Sequence, residues 1–374
     1  MAILNNNKRA IGTSSLGLHA SHLLNSKLQA AAHHGFTGVE IVYGDLETYS
    51  ASQNLQFLEA AEQIRQLCLD LGLQILSLCP FENFEGHPSP LHERLAKASH
   101  WASIAHALGA AHIQVPAQFG AGASGDEKII VSELRQLADL CSATKPVITI
   151  AYEPMSWSTY YSTWQDVVHL VDLVDRANFK ICLDTFHLGT KLWTSPHDPS
   201  GRYPDADRRL AEDLRAFASQ FSLDKLAYIQ LSDAERLDPP MSKDHPWHVE
   251  GRASEFSWSM HGRPFPLEAE CGGYLPIVEI VRAWVVEKRF EGWMSMETFD
   301  WRMIEEGVTT EECAARAESS WERLEKALAD SKSPPKSLLQ RTWFLESCSR
   351  SDKAEDAALA RSSPCVLADR HAPS

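Results

Sequence analysis

The sequence predicts an α/β chain that closes into a (β/α)8 barrel, and three observations carry that expectation. Short β-branched runs alternate with stretches whose apolar positions recur every three or four residues. The β runs are compact and apolar rather than alternating, as strands are when helices cover both faces of a parallel sheet. No glycine-rich phosphate loop follows the first of them, which sets aside the competing doubly wound open sheet. With 374 residues, 44% of them hydrophobic, the chain can bury one large core.

The strands are expected at Arg9–Ser14, Gly38–Val42, Gln74–Leu78, Ala111–Val115, Val147–Tyr152, Lys180–Leu183, Leu226–Leu231 and Trp293–Met296. Helices are expected between and after them, at Leu24–His34, Asn54–Leu71, Leu91–Leu108, Asp126–Ala143, Thr163–Val174, Asp205–Gln220, Tyr274–Lys288 and Thr310–Ala329. Gly35, Gly72 and Gly109 stand where three helices must stop before the next strand, because glycine tolerates the left-handed conformation that terminates a helix.

One connection breaks the rhythm. Ser232 to Gly273 spans about 40 residues after the seventh strand and carries Trp247, Trp258 and a DPP turn. A loop that long is usually functional, and it belongs to the C-terminal face, where barrels of this class do their chemistry. It is therefore expected to be a lid, with Gly189–Pro204 walling the same cavity. Residues 1–330 are read as one barrel domain. Residues 331–374, rich in Ser, Ala and charge, are read as a low-order tail with one apolar cluster at Leu338–Leu345.

The formal net charge is −15, from 35 basic and 50 acidic residues. Seven of the basic and five of the acidic residues lie in 331–374, so the preceding part holds 28 against 45, or −17. Such a body disfavours a nucleic-acid groove, which needs a basic footprint, but it permits a locally positive pocket for a small anion. The eight cysteines are sparse, form no CxxC and sit mostly in apolar runs, so they are read as reduced interior thiols. The N-terminal residues lack a signal-peptide core and no apolar run approaches a membrane span, so a cytoplasmic protein with no membrane partner is expected.

The chemical signal is positional. Glu153 closes VITIAYE, Asp184 closes FKICLD, Gln230 lies near the end of LAYIQLSD, and Glu297 follows WMSM. These four stand at the C-terminal ends of strands five to eight, which are neighbours in a closed barrel. Carboxylates against apolar strands carry a large desolvation cost and repel one another, and a divalent cation removes both problems. All-oxygen ligation suits one hard ion, Mg²⁺ or Mn²⁺. Glu40 and Asp45 are weaker candidates for further polar lining. His187, three residues after Asp184, is placed in the same loop as a proton-transfer group, with Glu153 sharing the catalytic role. In the lid, Ser259 and Arg263 offer a hydroxyl and a guanidinium for a substrate carboxylate or phosphate. Trp157, Trp258, Phe81 and Phe84 are candidate walls around a ring.

From Ala10 to about Ala329 the chain resembles the xylose-isomerase-like barrels, and among them the fungal and bacterial 3-dehydroshikimate dehydratases that form protocatechuate. The resemblance rests on TSSLGLH (13–19), FTGVEI (36–41), LCPFENFEG (78–86), HIQVPAQF (112–119), YEPMSWST (152–159), ICLDTFHLG (181–189), YIQLSDAE (228–235) and FEGWMSMETFDWR (290–302). It implies metal ligation by Glu153, Asp184, Gln230 and Glu297, a catalytic histidine at His187, and substrate contacts from Ser259 and Arg263. It departs from the family pattern at Tyr43, Cys79, Glu82 and Met260, where a histidine, a glutamine and two basic residues are usual. The implied substrate is a small cyclic carboxylic acid, 3-dehydroshikimate, with a second copy of the chain as the one macromolecular partner considered. A ketose epimerase or isomerase on the same scaffold is the principal alternative. An abasic-site endonuclease and a non-enzymatic binding protein stand behind it.

Overall fold

The structure, a computed structural model, describes residues 4–330. The expected tail, with its Leu338–Leu345 cluster, lies outside the described residues.

Among the described residues ten strands form: β1 (Lys8–Gly12), β2 (Gly38–Val42), β3 (Gln74–Cys79), β4 (His112–Pro116), β5 (Thr149–Glu153), β6 (Phe179–Asp184), β7 (Leu226–Leu231), β8 (Gly262–Arg263), β9 (Trp293–Met296) and β10 (Phe299–Asp300). Eight of them close a parallel barrel in the order β1-β2-β3-β4-β5-β6-β7-β9, while β8 and β10 pair separately as a two-stranded antiparallel ribbon. The (β/α)8 expectation therefore holds. The first strand ends at Gly12 rather than Ser14, because Thr13–Leu16 winds into a 3-10 turn.

Around the barrel run α1 (Leu24–His33), α2 (Tyr43–Gln53), α3 (Phe57–Asp70), α4 (Leu91–Leu108), α5 (Glu127–Ser142), α6 (Trp164–Val174), α7 (Thr185–Leu192), α8 (Ala206–Gln220), α9 (Ser254–Ser259), α10 (Ile277–Val281) and α11 (Thr310–Asp330). Their apolar stripes face the strands: Ile130, Leu134, Leu137 and Cys141 of α5 are buried at helical spacing. Thr163 and Asp166 form a reciprocal capping box that fixes the start of α6. Gly109 ends α4 with φ +72°, the left-handed stop expected of it.

Three helices differ from expectation. The helix anticipated from Asn54 begins at Phe57, and α2 precedes it. Tyr274–Lys288, expected as one helix, is a short α10 followed by a π-helical turn at Arg282–Glu287. The segment after Asp184, expected as loop, is α7, and Asp184 caps it by accepting from the Phe186 N–H at 2.6 Å.

The long connection after β7 is folded rather than loose. It contains α9 and β8, and β8 is held down by its pairing with β10, Phe299 opposite Arg263 and Asp300 opposite Gly262. Gly262 is required there. A Cβ at that position would meet Trp258 Cδ1 at 2.8 Å and Trp247 Cζ3 at 3.1 Å, both rigid rings. No helix among the described residues is long and apolar enough to cross a membrane. Six cysteines in this region are buried and free, in line with the interior-thiol reading.

Candidate active site

Strand register brings the predicted polar residues to one end of the barrel. Asp184 and Gln230 are direct register partners across β6 and β7, and Glu153 pairs with Pro116 at the end of β5. Glu297 follows β9, and its N–H donates to the Leu231 carbonyl at 3.0 Å, which brings its side chain beside Gln230. The Gln230 amide nitrogen donates to Glu297 Oε1 at 3.0 Å and to Glu40 Oε2 at 3.1 Å. Its oxygen accepts from the Cys182 thiol at 3.2 Å. The two ends of an amide have nearly the same shape, so a half-turn of this group presents its oxygen to the carboxylate side instead.

Glu40, a weaker candidate in the sequence, is a member of this cluster. It lies inside the barrel and accepts from the Tyr228 hydroxyl at 2.6 Å. Burial raises its carboxyl to about 7, against the lowering effect of the hydrogen bonds from Tyr228 and Gln230. Asp45 is not in the cluster: it pairs with Lys27 at 2.9 Å on the α1–α2 side of the barrel.

Arg263 reaches into the same group of carboxylates. Its Nη2 donates to Asp184 Oδ2 and, at 3.0 Å, to Glu297 Oε2. Nη1 meets Ser259 Oγ at 3.2 Å and Nε meets Ser232 Oγ at 3.1 Å. Burial by itself would lower the guanidinium's pKa. The adjacent Asp184, Glu297 and Glu153 charges outweigh burial and hold it above its usual value. Burial likewise pushes the Glu297 carboxyl well up; Arg263 opposes this, while Glu153, Asp184 and Glu40 add to it. So Arg263, expected on the lid as a clamp for a substrate anion, is ion-paired to two of the predicted metal ligands, and the lid serine is hydrogen-bonded to it.

His187 projects from α7 toward Glu153. Its Nδ1 accepts from the Ser156 N–H at 3.2 Å, so the neutral ring carries its proton on Nε2. That Nε2 stands 3.3 Å from Glu153 Oε1. The other Glu153 oxygen accepts from Gln114 Nε2. Neither His187 Nε2 nor Glu153 Oε1 has a hydrogen-bond partner among the described residues, although both are buried. Ligand atoms of Glu153, Asp184 and His187 all lie within 4.8 Å of one another. Two orphaned buried polar atoms beside convergent carboxylate oxygens are what a cation or a polar substrate would satisfy, so these side chains fit a divalent ion.

Trp157 packs edge-on to His187 with ring centroids 4.7 Å apart and stacks on Phe256 of α9 at 5.1 Å, joining the lid to the site. The other candidate walls serve elsewhere. Trp258 is fully buried, donating its indole N–H to the Glu235 carbonyl at 2.9 Å, and Phe81 and Phe84 cluster with Trp101. Tyr43, a departure from the family pattern, stacks on that same Trp101 at 4.5 Å. Gln114, Ser156, Cys182, Tyr228 and Ser232 were not singled out in the sequence. Gln114 was within reach, being the one polar residue in the middle of the HIQVP run.

Fold and site together define a barrel with a carboxylate-lined, metal-compatible mouth, against which the folded connection after β7 places Arg263 and Phe256. Residues 28–324 match the family model described as the xylose isomerase-like TIM barrel. The chain is 38% identical over 334 residues to the 3-dehydroshikimate dehydratase of Neurospora crassa, covering 85% of this chain and 93% of that protein. It is 30% identical over 296 residues to the 3-dehydroshikimate dehydratase of Pseudomonas aeruginosa, 78% of this chain but 38% of that longer protein. Among solved structures, a xylose isomerase-like TIM barrel/4-hydroxyphenylpyruvate dioxygenase fusion protein superposes with a TM-score of 0.67 at 28% identity, covering 86% of this chain and 43% of that one. The chain belongs to the xylose isomerase-like TIM-barrel family and, within it, to the 3-dehydroshikimate dehydratases.

Proposed function

We propose that this chain is a metal-dependent 3-dehydroshikimate dehydratase that forms protocatechuate. The observation that carries the reading is the buried, unpartnered pair of Glu153 Oε1 and His187 Nε2 at the mouth of a barrel 38% identical to the Neurospora enzyme. Glu153, Asp184, Gln230 and Glu297 would hold one Mg²⁺ or Mn²⁺, with Gln230 turning its oxygen inward. Bound there, the ion would supply Lewis-acid polarisation of the substrate's C3 carbonyl, making the C4 proton more acidic.

The chain's own residues account for the remaining proton movements. Glu153 Oε1 is the open acceptor for the C4 proton. Once protonated, Glu153 can hand that proton to the C5 hydroxyl as it leaves as water, while His187, its Nδ1 committed to the Ser156 N–H, steadies the leaving oxygen with a hydrogen bond from Nε2. In this tautomer Nε2 carries the hydrogen, so the proton-transfer role expected of His187 takes the form of a hydrogen bond donated to the departing oxygen. The Glu153 carboxylate so regenerated would take the C6 proton and return it to the C3 oxygen, which completes the aromatic ring with a net loss of one water. Arg263 and Ser259 are the groups suited to the ring carboxylate. Trp157 and Phe256 shield His187 from water. The chain's partner is accordingly a small cyclic acid, with residues 1–330 as the catalytic unit.

The test is turnover of 3-dehydroshikimate by purified protein loaded with Mn²⁺, followed as aromatic absorbance and product mass. Chelation should abolish it and Mn²⁺ or Mg²⁺ restore it. Full turnover by protein shown metal-free by elemental analysis would overturn the metal dependence. Interconversion of free ketoses without any dehydration product would replace the reading by the epimerase alternative.

A further inference from the structure

The geometry points to a second metal site, far from the barrel mouth in the fold, on the seam where the first and last helices of the barrel pack. We propose that His33, His34 and Glu311 bind a zinc-type divalent ion, with Glu318 as the carboxylate that orients His34.

His33 is the last residue of α1 and His34 follows it as the helix cap, while Glu311 and Glu318 lie seven residues apart on one face of α11. Glu311 Oε2 stands 3.0 Å from His33 Nδ1 and 3.1 Å from His34 Nε2. All three ligand atoms fall within 4.8 Å of one another. In a tetrahedral site with bonds of about 2.0–2.1 Å, ligand atoms are separated by roughly 3.3 Å, so the observed spacing needs only small outward shifts of the exposed His33 and Glu311 side chains around the more buried His34. His33 and Glu311 are 74% and 51% exposed as side chains, which also leaves a path for the ion.

The second observation is the proton count. The remaining nitrogen of His34, Nδ1, lies 2.7 Å from Glu318 Oε2. A carboxylate only accepts, so Nδ1 bears the hydrogen. In a neutral ring Nε2 then presents a lone pair directly at the Glu311 carboxylate, acceptor against acceptor. The arrangement is satisfied in one of two ways: by a second proton on His34, or by a cation between the ring and Glu311. Histidine whose far nitrogen donates to a carboxylate is the arrangement that fixes tautomer and raises basicity at zinc ligands. Two imidazoles and one carboxylate, with water completing four-coordination, suit Zn²⁺ better than the hard ions expected at the barrel mouth. An ion there would clasp α1 to α11 and so close the seam between the chain's two ends of the barrel.

The experiment compares full-length wild type with His33→Gln/His34→Gln and, separately, Glu311→Gln, each titrated with Zn²⁺ by calorimetry and with Co²⁺ by visible absorption. The expected result is one fewer equivalent bound in the double variant and in Glu311→Gln, with loss of the matching Co²⁺ bands. Wild type should also show a Zn²⁺-dependent rise in melting temperature that the variants lack. Glu318→Gln should keep the site but weaken it by about 10- to 100-fold. Turnover at saturating Mn²⁺ should be the same in all four proteins. Equal stoichiometry in wild type and variants, or occupancy of the extra site only at millimolar Zn²⁺, would overturn the proposal, as would variants whose Mn²⁺-supported turnover falls.

Discussion

His187 Nε2 faces Glu153 Oε1 across 3.3 Å, on side chains only 3% and 2% exposed, without hydrogen-bond geometry between them. Ser156 sets this relationship by donating its N–H to the other ring nitrogen. Two buried polar atoms this close without satisfying each other are costly in a folded core, and in the proposed reaction the pair would handle the transferred proton.

Glu153→Gln tests that directly. The amide keeps the shape and can still meet Gln114, but it neither accepts a substrate proton nor contributes charge to the proposed metal site. Turnover should fall by about 10²- to 10⁴-fold, the range for a positioned acid–base group. Mn²⁺ affinity, read by calorimetry, should fall with it. A variant with native-like kcat would show that another group takes the proton.

How much of this was legible in the sequence depended on whether the signal was local. Gly38–Val42, Leu226–Leu231 and Trp293–Met296 read correctly to the residue because each is a compact apolar run between turn signals. Helix α2 was invisible because it buries only Leu46 and Ser50 and so has no apolar stripe to detect. The helix carrying His187 was missed because it is eight residues long and starts from Asp184, a residue already claimed by the strand. The strand-end carboxylates were readable, since barrel geometry alone brings adjacent strand ends together. The contact of Arg263 with Asp184, 79 residues away in sequence, was not. It depends on a two-residue strand, a glycine under Trp258 and pairing with β10, none of which leaves a periodic trace.

Glu85 gives a prediction for stability. It is buried, and its Oε1 accepts from the Tyr152 hydroxyl at 2.6 Å and the Gln118 N–H at 2.7 Å. Burial raises its carboxyl from 4.5 to about 7, with those hydrogen bonds opposing and the Glu133 charge adding; Glu133 itself is paired to Arg94 at 2.7 Å. The folded pKa is above the unfolded one, so below about 4.5 the group is protonated in both states and contributes nothing. As pH rises from about 4.5 to 7 the unfolded chain ionises first, and stability is lost, about 3 kcal/mol in all. Glu85→Gln keeps an acceptor for both donors and removes the titration. Its urea unfolding free energy should therefore fall about 2–3 kcal/mol less between pH 5 and pH 8 than that of wild type. An unchanged pH slope would show that Glu85 ionises normally in the folded protein.

The domain boundary can be checked by truncation. Among the described residues, helix α11 (Thr310–Asp330) already buries Cys313, Ala314, Ala317, Trp321, Leu324 and Leu328. A chain ending at Asp330 should keep its cooperative melt, Mn²⁺ binding and turnover. Aggregation or lost activity would assign residues 331–374 a packing role.

Arg263 gives the test of the proposed substrate. Its guanidinium is 2% exposed and donates to Asp184, Glu297, Ser259 and Ser232, so its charge is already spent on fixing the mouth of the barrel. An anionic substrate has to share or win this group from the carboxylates, and a metal ion neutralising Asp184 and Glu297 would make that exchange easier. Deleting one partner of a buried arginine–carboxylate pair costs roughly 2–5 kcal/mol, and about 1.4 kcal/mol is tenfold. Arg263→Ala should therefore lose about 30- to 4000-fold in kcat/KM for 3-dehydroshikimate at saturating Mn²⁺. Because the two carboxylates lose a competing cation, Mn²⁺ should bind the variant at least as tightly as wild type. Arg263→Lys keeps the charge without the fork that spans both carboxylates, and should recover only part of the loss. The decisive comparison is between rate and metal affinity in the same protein. A fall in kcat/KM with Mn²⁺ retained identifies Arg263 as a contact for the acid, whereas weakened Mn²⁺ binding would mean that it serves only to hold Asp184 and Glu297 in place.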